Sequence, residues 1–241
     1  MPRSGTLYLI PSALHESNAQ ILLPVYVDIL KTLRLFIVEN VRTTRRFLKT
    51  IVPDLDINAC EFIEIDKHQP DQDFKEVLER IVMGADAGLL SEAGCPAIAD
   101  PGSKIVALAH YHLIKVSPWI GPSSILLALM ASGFNGQGFT FHGYLPSKSQ
   151  AELIKRLRSI ESEAIRSKYT QLFIETPYRN LSLLKTMLET LHASTHVGLA
   201  IDLTGLDEKI VVHPVAEWKK VQIPDFQKHP AIFLIHSNSL D

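Results

Sequence analysis

Residues 89–110 read LLSEAGCPAIADPGSKIVALAH, and the middle of this stretch is built like a ligand-holding loop. Gly94 and Gly102 permit backbone geometry, or a close approach, that side chains forbid. Pro96 and Pro101 stiffen the turn. A stiff, glycine-bearing turn offers backbone amides and carbonyls to an uncharged or zwitterionic small ligand. Asp100, just before Pro101, is placed to cap the helix that follows. A blander reading fits the same residues about equally well. Strand ends often carry Gly and Pro, so this can be a plain strand–helix connection with a capping Asp.

Other chemistries can be weighed by residue type and spacing. The chain has 10 histidines and 2 cysteines. His110 lies near His112, and His192 near His196, but no Cys/His set has zinc-finger spacing and no H-E-x-x-H occurs, so no metal site is expected. Ser123 and Ser124 in "GPSSI" do not form a G-x-S-x-G elbow. Cys95 has no partner base in view, so it is not expected to be a nucleophile. The dinucleotide fingerprint G-x-G-x-x-G and the G-K-[ST] phosphate loop are both absent, which disfavours a dinucleotide-dependent oxidoreductase. Trp119 and Trp218 read as packing residues rather than base-stacking platforms.

The elements that must position these residues alternate along the chain. Strand patterns at "TLYLIP", "RLFIVEN", "CEFIEID", "AGLL" and "LIKVSPWIG" are interleaved with helical patterns. In the helix at 71–85, Phe74, Val77, Leu78 and Ile81 share one face. This alternation predicts a mostly parallel sheet with helices on both faces. After residue 116 the pattern restarts. Helices are predicted at 121–133, 149–164 and 180–192, and strands at 139–146, 169–176, 196–205, 208–214 and 230–237. The late run of strands suggests a mixed sheet. The expectation is therefore α/β, with one domain over 1–116, a second over 117–241, and no long linker. Ligands of open parallel sheets bind beyond the carboxyl ends of the strands. The polar loops at 11–18, 39–42, 91–102, 117–124, 175–179 and 202–207 all fall at such ends.

Bulk properties bound the function. With 241 residues, 46% of them hydrophobic, the chain can bury a substantial core. The 24 basic and 26 acidic residues give a formal charge of −2, without the basic excess usual for nucleic-acid binding. Two cysteines fit a reducing compartment, and no apolar run is long enough for a signal peptide or a membrane helix. A cytoplasmic protein is the expectation.

The combination of "SEAGCPAIADPG" and "GPSSILLALMASG" resembles the tetrapyrrole methylase superfamily of S-adenosylmethionine-dependent methyltransferases. "VENVRTTRRFL", "FHGYLPSKS" and "IETPYRNL" look like the branch that methylates a cytidine 2′-hydroxyl in bacterial small-subunit ribosomal RNA. The resemblance runs over residues 5–218. It implies two α/β domains with S-adenosylmethionine in the cleft between them, and a homodimer. It implies cofactor contacts at Gly94, Cys95, Ile98, Ser123, Ser124, Thr176 and Ala200. It also implies that ribosomal RNA of the small subunit is the partner.

A ribose hydroxyl is a poor nucleophile and benefits from a general base, for which Glu39 is the first candidate and Asp202 the second. Arg42, Arg179 and Lys148 match basic positions of the branch, where they would hold phosphates or orient substrate. Arg45, Arg46, Lys49, Lys155, Arg156 and Arg158 form local basic faces, which either track a nucleic-acid backbone or are simply solvated. The sequence departs from the branch on the substrate side. "PSALHESN" replaces Pro-Thr-Pro-Ile-Gly-Asn-Leu, "IDLTG" replaces Arg-Glu-Leu-Thr-Lys, and Cys95 stands where Asp or Thr is usual. Two alternatives stay open: a methyltransferase of the same superfamily with a small-molecule or protein substrate, and a non-catalytic, cofactor-binding module associated with the ribosome.

Overall fold

The computed structural model describes residues 4–15, 22–66, 69 and 71–237. The chain divides into two compact α/β units, Met1–Ser123 and Ser124–Asp241.

The first unit carries β1 (Thr6–Ile10), α1 (Pro24–Thr32), β2 (Leu35–Val38), α2 (Val41–Ile51), β3 (Glu61–Glu64), α3 (Lys75–Val82), β4 (Ala87–Leu90), α4 (Gly102–Tyr111) and β5 (Lys115–Pro118). The strands lie in the order β3-β2-β4-β1-β5, and every pairing is parallel. Successive side chains of a strand point to opposite faces. Leu35 and Ile37 therefore join Phe74, Val77, Leu78 and Ile81 on one side of the sheet. Phe36 and Val38 join Leu30, Leu48 and Trp119 on the other. The helical face predicted for α3 is the buried one, and each such side chain contributes roughly 1.5–3 kcal/mol by leaving water. β4 is buried along its whole length, as its unbroken apolar run requires of a central parallel strand.

The second unit contains α5 (Ser124–Ser132), β6 (Phe139–Tyr144), α6 (Gln150–Ser167), β7 (Thr170–Glu175), α7 (Asn180–Thr190), β8 (His196–Ile201), β9 (Lys209–Pro214), α8 (Val215–Trp218) and β10 (Ala231–His236). Its sheet runs β6-β7-β10-β8-β9. Only β6 and β7 are parallel; β10 is antiparallel to both of its neighbours and β9 to β8. The sheet is therefore mixed. Leu157, Ile160, Leu184, Met187, Phe173 and Phe233 pack together in its core. Trp218 is 1% exposed and donates its indole N–H to the Val197 carbonyl at 2.8 Å.

Three details differ from the pattern read in the sequence. β5 pairs with β1, and the first unit runs on to Ser123 rather than stopping at residue 116. β8 ends at Ile201, because Asp202 (φ 48°) and Thr204 (φ 68°) turn the chain into left-handed backbone. The one-turn helices at Ile57–Ala59, Pro177–Arg179 and Val215–Trp218 are too short to show a periodic signal.

Two histidines of the second unit, the buried His236 and the half-buried His142, are held below their ordinary pKa. His236 of β10 is opposite His196 of β8 and stacks on Phe134, with centroids 5.2 Å apart. Burial, then the nearby His196 and Lys168, hold its imidazole below the ordinary value of 6.5. His142 is lowered mainly by burial and further by Arg156, against the hydrogen bond its Nε2 donates to the Gln171 side-chain oxygen and the charge of Glu163. A base depressed in the folded state supplies stability that is complete above about pH 6.5 and is lost as pH falls through the folded value. His236→Phe removes a buried Nδ1 without a hydrogen-bond partner. We expect it to raise stability by about 1 kcal/mol at neutral pH and by more at pH 5, read from urea unfolding at both.

Candidate functional site

The sheet order of the first unit sets β4, β1 and β5 side by side and parallel, so their carboxyl ends and following loops meet at one edge. The loops are tied to one another. Ser12 and Gly94 exchange backbone hydrogen bonds at 2.9 and 3.0 Å, a one-step antiparallel bridge. The Ser12 hydroxyl donates to the Ser91 carbonyl at 2.8 Å. The Cys95 thiol donates to the Pro122 carbonyl at 3.3 Å. A Cβ on Gly121 would lie 2.2 Å from the Pro11 ring, so glycine is required for that approach.

Residues 91–101 are held in strained backbone. Gly94 (φ 73°), Ala97 (φ 68°) and Ala99 (φ 61°) are left-handed. Each alanine there costs about 1 kcal/mol. Asp100 offsets this by accepting the Ala97 and Gly102 N–H groups on one oxygen, at 3.0 and 2.7 Å. It caps α4 at Gly102 and also ties the turn together. Its second oxygen is buried without a hydrogen-bond partner. Burial pushes the carboxyl above the ordinary range, the charge of Glu39 adds to this, and the Gly102, Ala97 and Ile98 amides oppose it. Burial likewise raises the Cys95 thiol, which disfavours the thiolate.

Beside these loops is a cleft of about 260 Å³, lined by Ser12 and Ser91 from the loops and by Thr43, Thr44, Arg46 and Phe47 of α2. α2 is aimed at it by Asn40, whose side chain accepts the Thr43 N–H at 3.1 Å. Glu39 directly follows β2 next to this wall, and its carboxylate accepts the Glu92 N–H at 3.3 Å. Arg42 is exposed on the first turn of α2. Arg45 and Lys49 serve the local fold: Arg45 donates to Asn58 and covers Phe62, while Lys49 donates to the Pro53 and Leu55 carbonyls.

In the second unit the carboxyl ends of β7 and β8 flank the start of β10. Glu175 closes β7 with its side chain 2% exposed and pairs with Arg179 at 3.0 Å. The same carboxylate accepts the Thr176 N–H at 2.8 Å and its hydroxyl at 3.2 Å. Ala200 is buried in β8. Asp202 is 3% exposed and accepts the Asp207 N–H at 3.1 Å. His229 lies 3.7 Å from Asp202 and 3.9 Å from Asp207. These three are the one cluster of metal-ligand types found among the described residues. Lys148 is exposed between β6 and α6.

No family model matches the chain. Individual relatives do. The ribosomal RNA small subunit methyltransferase I of Vibrio cholerae serotype O1 is 32% identical over 211 residues, 88% of this chain and 69% of the relative. Its counterpart in Escherichia coli O157:H7 is 32% identical over 213 residues, 88% of this chain and 70% of the relative. The Buchnera aphidicola protein of the same name is 28% identical over 239 residues, 97% of this chain and 79% of the relative.

The chain belongs to the ribosomal RNA small subunit methyltransferase I family. The resemblance read from its motifs is borne out, as is the two-sheet α/β fold. For this family member, the structure brings Gly94, Cys95 and Ser123 into one set of linked loops and sets Glu39 against the same set through Glu92. Ile98 is 51% exposed at the loop's tip. Thr176 and Arg179 meet on Glu175, whereas Asp202 is turned onto its own loop. Arg156 is engaged with His142 at 2.8 Å, and Lys155 and Arg158 are exposed on α6. Residues 16–18 of the first loop lie outside the described residues.

Sequence reasoning missed Thr43, Thr44 and Phe47 as cleft residues. The i, i+4 and i+7 spacing of Thr43, Phe47 and Thr50 on α2 was the signal available. Sequence reasoning placed Glu175 in the 175–179 loop at a strand end but did not single it out as a site residue.

Two expectations follow from this geometry. Arg179→Ala leaves the buried Glu175 carboxylate without its cation and should cost roughly 3 kcal/mol in urea unfolding at neutral pH. Glu175→Gln in that background should recover a large part of the loss. Gly94→Val places a β-branched residue at φ 73° with its Cβ about 3.2 Å from Leu14. It should lower the melting temperature by several degrees, for about 2 kcal/mol of strain and contact.

Proposed function

We propose that this chain transfers a methyl group from S-adenosylmethionine to a ribose 2′-hydroxyl of small-subunit ribosomal RNA. The observation that carries the reading is the family membership, joined to strained loops tied together at the carboxyl ends of β1, β4 and β5. Two features suit a zwitterionic methionine moiety: the left-handed Gly94 and the carbonyl-rich 121–122 turn. S-adenosylmethionine, when bound, supplies an electrophilic methyl group for in-line displacement. The chain's task is to hold the nucleophile in line with it, an alignment worth on the order of 7 kcal/mol or more when ideal.

In this reading Gly94, Cys95, Ile98 and Ser123 hold the cofactor from the first unit. For Ser124, Thr176 and Ala200 of the second unit, the support is the motif resemblance. The hydroxyl-lined cleft beside α2 receives the nucleotide, with Arg42 and Arg46 toward its phosphates. Glu39 takes the proton from the 2′-hydroxyl as the C–S bond breaks and the C–O bond forms. Arg179, held by Glu175, and Lys148 orient the RNA. Asp202 acts through the shape of its loop. We further propose a cytoplasmic homodimer. Among the described residues no helix is long and apolar enough to cross a membrane.

The test is transfer of labelled methyl from S-adenosylmethionine to small ribosomal subunits, followed by alkaline hydrolysis. Label in an alkali-resistant dinucleotide is the expected result. Label on a base, or on protein, would mean a different acceptor. Donor binding without transfer would favour the non-catalytic module. Glu39→Gln is expected to cut kcat by about 100-fold or more with donor affinity retained. Unchanged turnover removes Glu39 as the base.

A further inference from the structure

The loop at residues 119–123 is fixed at four successive residues, 119 to 122, and α1 supplies contacts to the first two. The Tyr26 ring lies flat on Trp119, with centroids 4.3 Å apart and planes 4° apart. The Tyr26 hydroxyl oxygen accepts the N–H of Ile120 at 3.3 Å. Tyr8 of β1 packs against the same indole at 5.6 Å, and the backbone N–H of Trp119 donates to the Leu9 carbonyl at 3.0 Å. Two residues on, Gly121 rests on Pro11, and then the Pro122 carbonyl accepts the Cys95 thiol.

Of these anchors, the Tyr26 hydroxyl is supplied by α1, and it acts directly on the backbone of Ile120. The side chain of Ile120 is 71% exposed, so apolar burial does little to hold that residue. Trp119, by contrast, is 7% exposed and part of the core on the α1 and α2 side of the sheet. The stack therefore sets the start of the loop, and the hydroxyl sets the height of the next peptide. Through Cys95 that height is coupled to the strained 91–101 loop.

We infer that Tyr26 is a positioning residue for the methyl donor: it holds residues 119–123 at the height where they face Gly94 and Cys95. The inference rests on the cofactor reading given above. It makes α1 a determinant of donor affinity, although Tyr26 itself belongs to none of the loops assigned to the donor.

The test compares Tyr26→Phe and Tyr26→Leu with the parent chain by calorimetric titration with S-adenosylmethionine, thermal unfolding, and steady-state methyl transfer. Tyr26→Phe keeps the stack and loses the hydroxyl. Donor Kd and KM should each rise about 3- to 10-fold, with kcat at saturating donor unchanged. Tyr26→Leu loses the stack as well and should raise Kd further. If the Leu variant does not fold, the Phe variant decides. Cys60→Ala is a control in the same core cluster, away from the loop. It should lower the melting temperature and leave Kd alone, because a merely structural loss does not alter affinity in the folded protein. Equal Kd for the parent and Tyr26→Phe overturns the inference and leaves the cofactor reading standing. Failure of the parent chain itself to bind the donor overturns both.

Discussion

The parallel register of β4, β1 and β5 is the constraint on which the first unit's chemistry depends. Three strands pointing the same way must end at the same edge, so three loops distant in sequence become neighbours. Parallel strands need long crossovers, and the crossovers here are the helices that bury both faces of the sheet. The core and the site are thus consequences of one arrangement. The Ser12–Gly94 bridge and the Cys95–Pro122 contact then fix loop against loop with groups that the strands leave unpaired.

Strain and polarity concentrate where this register leaves the backbone free. Ala97 and Ala99 occupy left-handed backbone that alanine rarely adopts, and Asp100 ties Ala97 to Gly102 across that turn. The second unit solves a related problem differently. Its buried Glu175 gathers Thr176 and Arg179 around one carboxylate at the end of β7. A buried acid of this kind does little for net stability but specifies one arrangement of the groups around it.

The basic residues show why charge counted along a sequence overstates a nucleic-acid surface. α2 carries Arg42, Arg45, Arg46 and Lys49, yet Arg45 and Lys49 satisfy Asn58 and two carbonyls of the following turn. Arg46 lines the cleft and Arg42 is exposed. A chain with formal charge −2 is not expected to bind nucleic acid through a broad basic face. Recognition concentrated on a few residues beside a shaped cleft suits that charge.

The sequence by itself determined the alternation of strands and helices, the buried face of α3, the packing role of both tryptophans, and the family, because each depends on local period or contiguous motif. Its boundaries erred where local signal is weak. β8 stops at a left-handed Asp202, and the one-turn helix at Pro177–Arg179 is shorter than any helical period. Only the tertiary structure decided which candidates meet. It joined Gly94 to Ser12, gave Arg179 to Glu175, turned Asp202 onto its own loop, and set Tyr26 under the 119–123 turn. The physical reason is that these contacts are made across strand order, which places β1 between β4 and β5 although the chain visits them first, fourth and fifth. Residue spacing along the chain carries no record of that order.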